Sequence, residues 1–208
     1  MFETFVITLR ETLEATLIIG ILLAYLKKTK NFQENKFVWY GVGAGIITSI
    51  IVAYIFEHFF GGFTGRAEQL YEGITMLIAA ALITWMVVWL FSQSKKIKKN
   101  LESKMETHIT DKHYLGIFLL SFVNIAREGT ETVIFLQATA LNKKAPEMIS
   151  GALIGIFLAI GIGYLIFRGV RFFKLKTFFL ITGIMLLIFA TDLLMTGLHE
   201  LEEAHLFG

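Results

Sequence analysis

The chain has 208 residues, 55% of them apolar, with a mean hydropathy of +0.67 and a single proline. It has no cysteine, which excludes disulfides, zinc-thiolate sites and iron–sulfur clusters. A formal net charge of +2 gives no reason to expect a nucleic-acid partner, and so many long apolar runs exclude an ordinary soluble domain.

Six runs are long enough, or nearly so, to cross a hydrocarbon core of about 30 Å, which takes roughly 20 helical residues. The first, 4–26, contains Arg10, Glu11 and Glu14 and follows no basic stretch. It reads as an uncleaved first span and not as a leader peptide. The second, 38–57, carries Gly41-x-x-x-Gly45. The third, 70–92, opens at Glu72, four residues after Glu68. A basic stretch, 95–113, precedes the fourth, 114–140, which contains Arg127, Glu128 and Glu131. The fifth, 148–167, carries Gly151-x-x-x-Gly155. The sixth, 177–198, contains Asp192 and runs into His199, Glu200, Glu202 and Glu203. All six are predicted as helices, because a spanning segment must satisfy its own backbone hydrogen bonds in lipid. The alternating pattern of a membrane β-barrel is absent.

Lys and Arg are unevenly placed among the connections. Lys27, Lys28, Lys30 and Lys36 follow span one, Lys95 to Lys112 follow span three, and Arg168, Arg171, Lys174 and Lys176 follow span five. The opposite side holds Arg66, Lys143 and Lys144. By the positive-inside rule the first group is cytoplasmic, so both termini, including Gly208, are expected outside. The outer side also collects Glu3, Glu57, Glu68, Glu72, Glu147, Glu200, Glu202 and Glu203, and such an acidic mouth would concentrate cations.

Only Arg10 and Arg127 are cationic within the spans, and each begins the pattern Arg-Glu-x-x-Glu. The later spans also match one another. Gly41, Gly45 and Tyr54 correspond to Gly151, Gly155 and Tyr164. Gly73-Ile74-x-x-Leu77-Ile78-x-Ala80 corresponds to Gly183-Ile184-x-x-Leu187-Ile188-x-Ala190. These matches share one offset. The Arg-Glu-x-x-Glu motifs differ from it by seven, as a longer first loop would require. The expected fold is therefore an all-α integral membrane protein of six transmembrane helices, arranged as two inverted three-helix repeats. The predicted units are 1–94, the basic cytoplasmic loop 95–113, and 114–208 with an acidic outer tail. Inverted repeats place a transport site near the midplane, where the halves meet.

On a helix, positions three and four apart share a face. Glu11 and Glu14 then project together, as do Glu128 and Glu131. Charged groups at membrane depth cost at least about 2.5–3.5 kcal/mol each. Facing motifs hold four carboxylates against two guanidinium groups, so retained protons or a bound cation must offset the excess. Carboxylate oxygens suit Fe(III), Fe(II), Mn, Ca and Mg better than Cu(I). Arginine cannot ligate; Arg10 and Arg127 are expected to orient the carboxylates and limit the charge of the site. Secondary candidates are Glu68 and Glu72 at the outer mouth, Asp192 inside span six, and His199, Glu200 and Glu203, with His199 and Glu203 spaced to share one metal.

At these residues the chain resembles the high-affinity iron permease family, the membrane partner of multicopper ferroxidases in fungi and of related uptake systems in bacteria. The resemblance covers nearly the whole chain. It rests on Phe5 to Ala15 around Arg10-Glu11-Thr12-Leu13-Glu14, on Ala126 to Val133 around Arg127-Glu128-Gly129-Thr130-Glu131, on Tyr71-Glu72-Gly73-Ile74, and on Gly197-Leu198-His199-Glu200-Leu201. It implies that Glu11, Glu14, Glu128 and Glu131 carry iron, Fe3+ or Fe2+, through a cytoplasmic (inner) membrane. It also implies an extracytoplasmic oxidase or iron-delivery protein as partner, and it leaves room for an oligomer. Two features depart from the family's pattern. Thr12 stands where a Gly is usual, and the family's seventh span has no counterpart before Gly208.

Iron is expected as the cargo, with no cofactor and no catalytic residue. A carrier of another hard divalent cation such as Mn, coupled to protons, is the alternative. An intramembrane hydrolase would need histidines within its spans, and all five lie at span boundaries or beyond.

Overall fold

The computed structural model describes residues 1–60, 65–93, 114–140, 145–168 and 175–204. Six α-helices account for nearly all of them: α1 Phe2–Lys28, α2 Asn35–Phe60, α3 Arg66–Gln93, α4 Tyr114–Ala140, α5 Ala145–Phe167 and α6 Leu175–Glu203. No strand occurs among the described residues. The basic loop 95–113, Lys143, Lys144, Arg171, Lys174 and Gly208 lie outside the described residues.

Four helices, α2, α3, α5 and α6, are long and apolar enough to cross a membrane. The other two are as long as these but each contains an Arg and two Glu in mid-helix, which breaks the apolar window. The surface is inside-out relative to a soluble protein. Ile50, Leu115, Phe157 and Ile188 are exposed, whereas Arg10, Glu11 and Glu128 are buried. Apolar side chains outside and charges inside suit a lipid solvent.

A tight turn joins α1 to α2. Asn31 N–H donates to Leu26 O at 2.9 Å and Lys30 N–H to Lys27 O at 3.3 Å. Lys30 takes a left-handed φ of 61°. These bonds satisfy carbonyls that the helix end would otherwise leave open. A single 3-10 turn, Phe32–Glu34, then leads into α2.

The most extensive helix pairs are α1 with α5, α2 with α4, and α3 with α6. Each joins one predicted half to the other. Small residues set the spacing. A methyl group on Gly45 would lie 2.8 Å from Ile125, and one on Gly155 would lie 2.7 Å from the Phe5 carbonyl. Gly41 likewise abuts Phe118 and Ser121 on α4, and Gly151 abuts Met1 and Phe5 on α1. Such close backbone approach is how helices associate where lipid offers no hydrophobic drive. The contact positions rise together along α2 and α4 and along α1 and α5, so these pairs are parallel. Gly73 meets Gly197 and Leu201 in antiparallel register between α3 and α6.

One buried cluster ties α1, α3, α4 and α6 together through Ile7, Met76, Ile83, Phe135, Leu186 and Ala190. A second, with Leu22, Leu26, Val38 and Ile117, joins α1, α2 and α4. The polar centre lies on α1 and α4, the two helices that these clusters hold side by side.

Candidate metal centre

Arg10 is wholly enclosed. Its Nη1 donates to Glu11 Oε1 at 2.8 Å, and its Nη2 lies 2.9 Å from Glu14 Oε1. The helix makes this possible: position i+1 lies beside the arginine and position i+4 one turn on. One guanidinium thus holds both acids of its motif. Nη1 also reaches Met86 Sδ on α3 at 2.8 Å.

On α4 the same pattern is looser. Arg127 Nε donates to Glu131 Oε1 at 2.8 Å but stands 4.0 Å from Glu128 Oε1. Arg127 is 46% exposed, against none for Arg10. Its guanidinium lies 5.2 Å from the centroid of the Trp89 ring, within cation–π range.

The motifs meet in the bundle. One carboxylate oxygen from each of Glu11, Glu128 and Glu131 lies within 4.8 Å of the others. Glu14 is outside this triplet, its Oε1 turned to Arg10, although it feels the charges of Glu131 and Arg127. Glu11 Oε2, Glu128 Oε2 and Glu131 Oε2 are buried without a hydrogen-bond partner among the described residues. Buried carboxylate oxygens left in this way are costly. Nearby hydroxyls do not relieve them: Thr132 Oγ1 donates to Glu128 O, and Thr16 Oγ1 to Thr12 O, both at 2.7 Å.

Gly129 has a local reason to be glycine. A Cβ there would lie 2.8 Å from Ser49 Cβ on α2 and closer still to its hydroxyl. The closeness of α2 keeps α4 in place with Glu128 buried.

The secondary candidates separate into two places. Glu68, Glu72, His199, Glu200 and Glu203 gather where the start of α3 meets the end of α6. Gln69 Nε2 donates to Glu203 Oε2 at 3.1 Å, and His199 Nε2 lies 3.1 Å from Glu203 Oε1. Glu72 feels the charges of Glu200 and Glu68. Among the described residues this group does not bring three ligand atoms together as the central triplet does. Asp192 is on the exposed face of α6, apart from both groups.

Sequence reasoning missed Met86 and Trp89. Met86 reads as core filling, and it is buried in the core, but its sulfur also touches Arg10. Trp85 and Trp89 are one turn apart on α3, which is the only trace of their shared face in the sequence.

The sequence matches the Iron permease FTR1 family over residues 1–207. It is 31% identical over 210 residues to the ferrous iron permease EfeU of Escherichia coli O6:K15:H31, covering 100% of this chain and 76% of that protein. It is 32% identical to the ferrous iron permease EfeU of Yersinia pestis, covering 100% and 74%. An uncharacterized protein of Archaeoglobus fulgidus is 35% identical over 209 residues, covering 98% and 71%. No solved structure matches the chain.

Proposed function

Because the chain belongs to the Iron permease FTR1 family, we propose that it imports iron across the cytoplasmic membrane through the carboxylate centre between α1 and α4. The observation that carries this reading is the meeting of Glu11, Glu128 and Glu131 within 4.8 Å, with buried oxygens that lack donors. A cation supplies what those oxygens lack, and Fe(II), the ion for which these relatives are named, accepts carboxylate ligands.

In this reading the six helices all cross the membrane, with both termini outside and the basic connections in the cytoplasm. The parallel pairs α1–α5 and α2–α4 and the antiparallel pair α3–α6 are the directions that six alternating crossings would have. Gly45 on α2 and Gly155 on α5 each pack against the first helix of the other half, and this correspondence supports two inverted repeats, 1–94 and 114–208. The centre lies where the halves meet.

Each residue has a distinct part. Glu11, Glu128 and Glu131 take the ion first. Glu14, held by Arg10, completes the coordination when it turns. Arg10 keeps its two acids aligned and offsets their charge, which moderates affinity enough for the ion to leave. Glu68, Glu72, Glu200 and Glu203 raise the local cation concentration at the outer mouth. An iron-delivery protein outside the membrane presents Fe(II); an oxidase there would present Fe(III) instead.

Uptake of radioactive iron into proteoliposomes tests this. Glu11→Ala, Glu128→Ala and Glu131→Ala should each reduce uptake to background while the protein still inserts. Normal uptake by all three variants would refute the reading. Competition with Mn(II) tests the alternative cargo: stronger transport of Mn(II) than of Fe(II) would favour it.

A further inference from the structure

The two arginines look equivalent in sequence but occupy unlike places. Arg10 is enclosed by Glu11, Glu14 and Met86 and has nowhere else to go. Arg127 lines a half-open cavity of about 310 Å³, together with Leu82, Met86, Trp89, Glu131 and Trp85, which is 72% exposed. Its guanidinium is shared between Glu131 Oε1 and the face of Trp89. Glu131 in turn contributes an oxygen to the carboxylate triplet. Glu131 therefore belongs to both the cavity wall and the ion site, and Arg127 holds its Oε1 there.

A half-exposed arginine in mid-span is costly against lipid, at least about 2.5–3.5 kcal/mol. The cavity that exposes it is better filled by water. Its wall on α3 spans Leu82 to Trp89, four residues before Gln93, where the helix ends. The distribution of basic residues makes that end the cytoplasmic one.

We propose that this cavity is the passage by which the ion leaves the carboxylate centre toward the cytoplasm, with Arg127 as its gate and Trp89 as the side chain that holds the gate open. The inference rests on the iron-permease reading of the site and extends it to the release step. A cation bound by Glu131 draws that carboxylate away from Arg127 and repels the guanidinium. The indole face then receives the displaced charge, since a ring quadrupole attracts a cation held within about 6 Å of its centroid. When Arg127 swings back to Glu131 it competes with the metal for the carboxylate and favours release into the passage. Among the described residues Arg10 has no aromatic partner of this kind and stays with its two acids.

Trp89 is thus a positioning residue, and its test needs a readout that a packing role would not move. Trp89→Leu and Trp89→Phe should be compared with wild type for Fe(II) uptake in proteoliposomes. Trp89→Leu is expected to lower the maximal rate about tenfold with less than about twofold change in half-saturating Fe(II). Trp89→Phe, which keeps a π face, should retain at least half the rate. Equal rates for wild type and Trp89→Leu, or equal losses in the two variants, would overturn the gate. The chain has no cysteine, so Leu82→Cys gives a single labelling site in the passage. A membrane-impermeant thiol reagent added from the cytoplasmic side should modify it, and failure to label would overturn the passage independently of transport. Wild-type protein that takes up no iron would instead overturn the reading of the site on which the gate depends.

Discussion

Glu11 on α1 and Glu128 on α4 place carboxylate oxygens within 4.8 Å of each other, although more than half the chain separates them in sequence. Two full charges at that distance repel by on the order of 3 kcal/mol even at an effective dielectric constant near 20. Arg10 offsets one of them, and Glu131 adds a third acid to the group. The centre is therefore assembled against electrostatics, at a cost to stability that function can justify.

Removing a charge from the triplet should stabilise the metal-free protein. Glu128→Gln is expected to raise the melting temperature in detergent by ~2–4 °C, the shift that 1 kcal/mol gives in a domain of this size. The same variant should lose the further rise that Fe(II) or Mn(II) produces in wild type. Differential scanning fluorimetry with and without metal measures both effects. A lower melting temperature without metal would contradict the repulsion argument.

The arginines should differ in what their loss does to the fold. Arg10→Ala leaves two buried acids without their partner, a change that costs about 3–5 kcal/mol in buried pairs, and little folded protein should accumulate. Arg127→Ala removes a half-exposed group and should yield folded protein with impaired transport. Membrane abundance and size-exclusion profiles of the two variants would check this.

Much of this was legible in the sequence, for physical reasons. Apolar length and the basic connections marked the helices, and the pattern of Arg10, Glu11 and Glu14 repeated at Arg127, Glu128 and Glu131 marked the centre. The pairing of helices was not legible. A Gly-x-x-x-Gly spacing tells that α2 has a close neighbour but not that the neighbour is α4. The inequality of the two motifs was also hidden. It depends on which helix covers each arginine, and Met86 and Trp89 reach them from α3, far away in sequence. Glu14 projects with Glu11 by helical spacing, but Arg10 lies within reach of both and holds Glu14 beside the triplet.

Packing predictions follow from the close contacts. Gly129→Ala would place a methyl group 2.8 Å from Ser49 Cβ and should separate α4 from α2, lowering folded yield and uptake together. Gly43→Ala is the control, since no described residue lies within 4 Å of a Cβ there. It should be neutral or stabilise by up to about 1 kcal/mol, the helix preference for Ala over Gly. Thermal unfolding of the two variants in the same detergent would distinguish them.

In the proposed topology the acids where α3 begins and α6 ends face outward, and they should act through concentration and not through ligation. Glu72→Gln is expected to raise the half-saturating iron concentration several-fold with little change in maximal rate. The effect should shrink in about 1 M salt, where charges are screened within roughly 3 Å. Uptake kinetics at low and high ionic strength would show this, and a salt-independent loss of maximal rate would point to a direct role.

The most direct measurement is an anomalous-scattering map of the protein crystallised with Fe(II). A peak among the carboxylates of Glu11, Glu128 and Glu131 is the result predicted. A peak only among Glu68, Glu72, His199, Glu200 and Glu203, or none near the centre, would contradict the account.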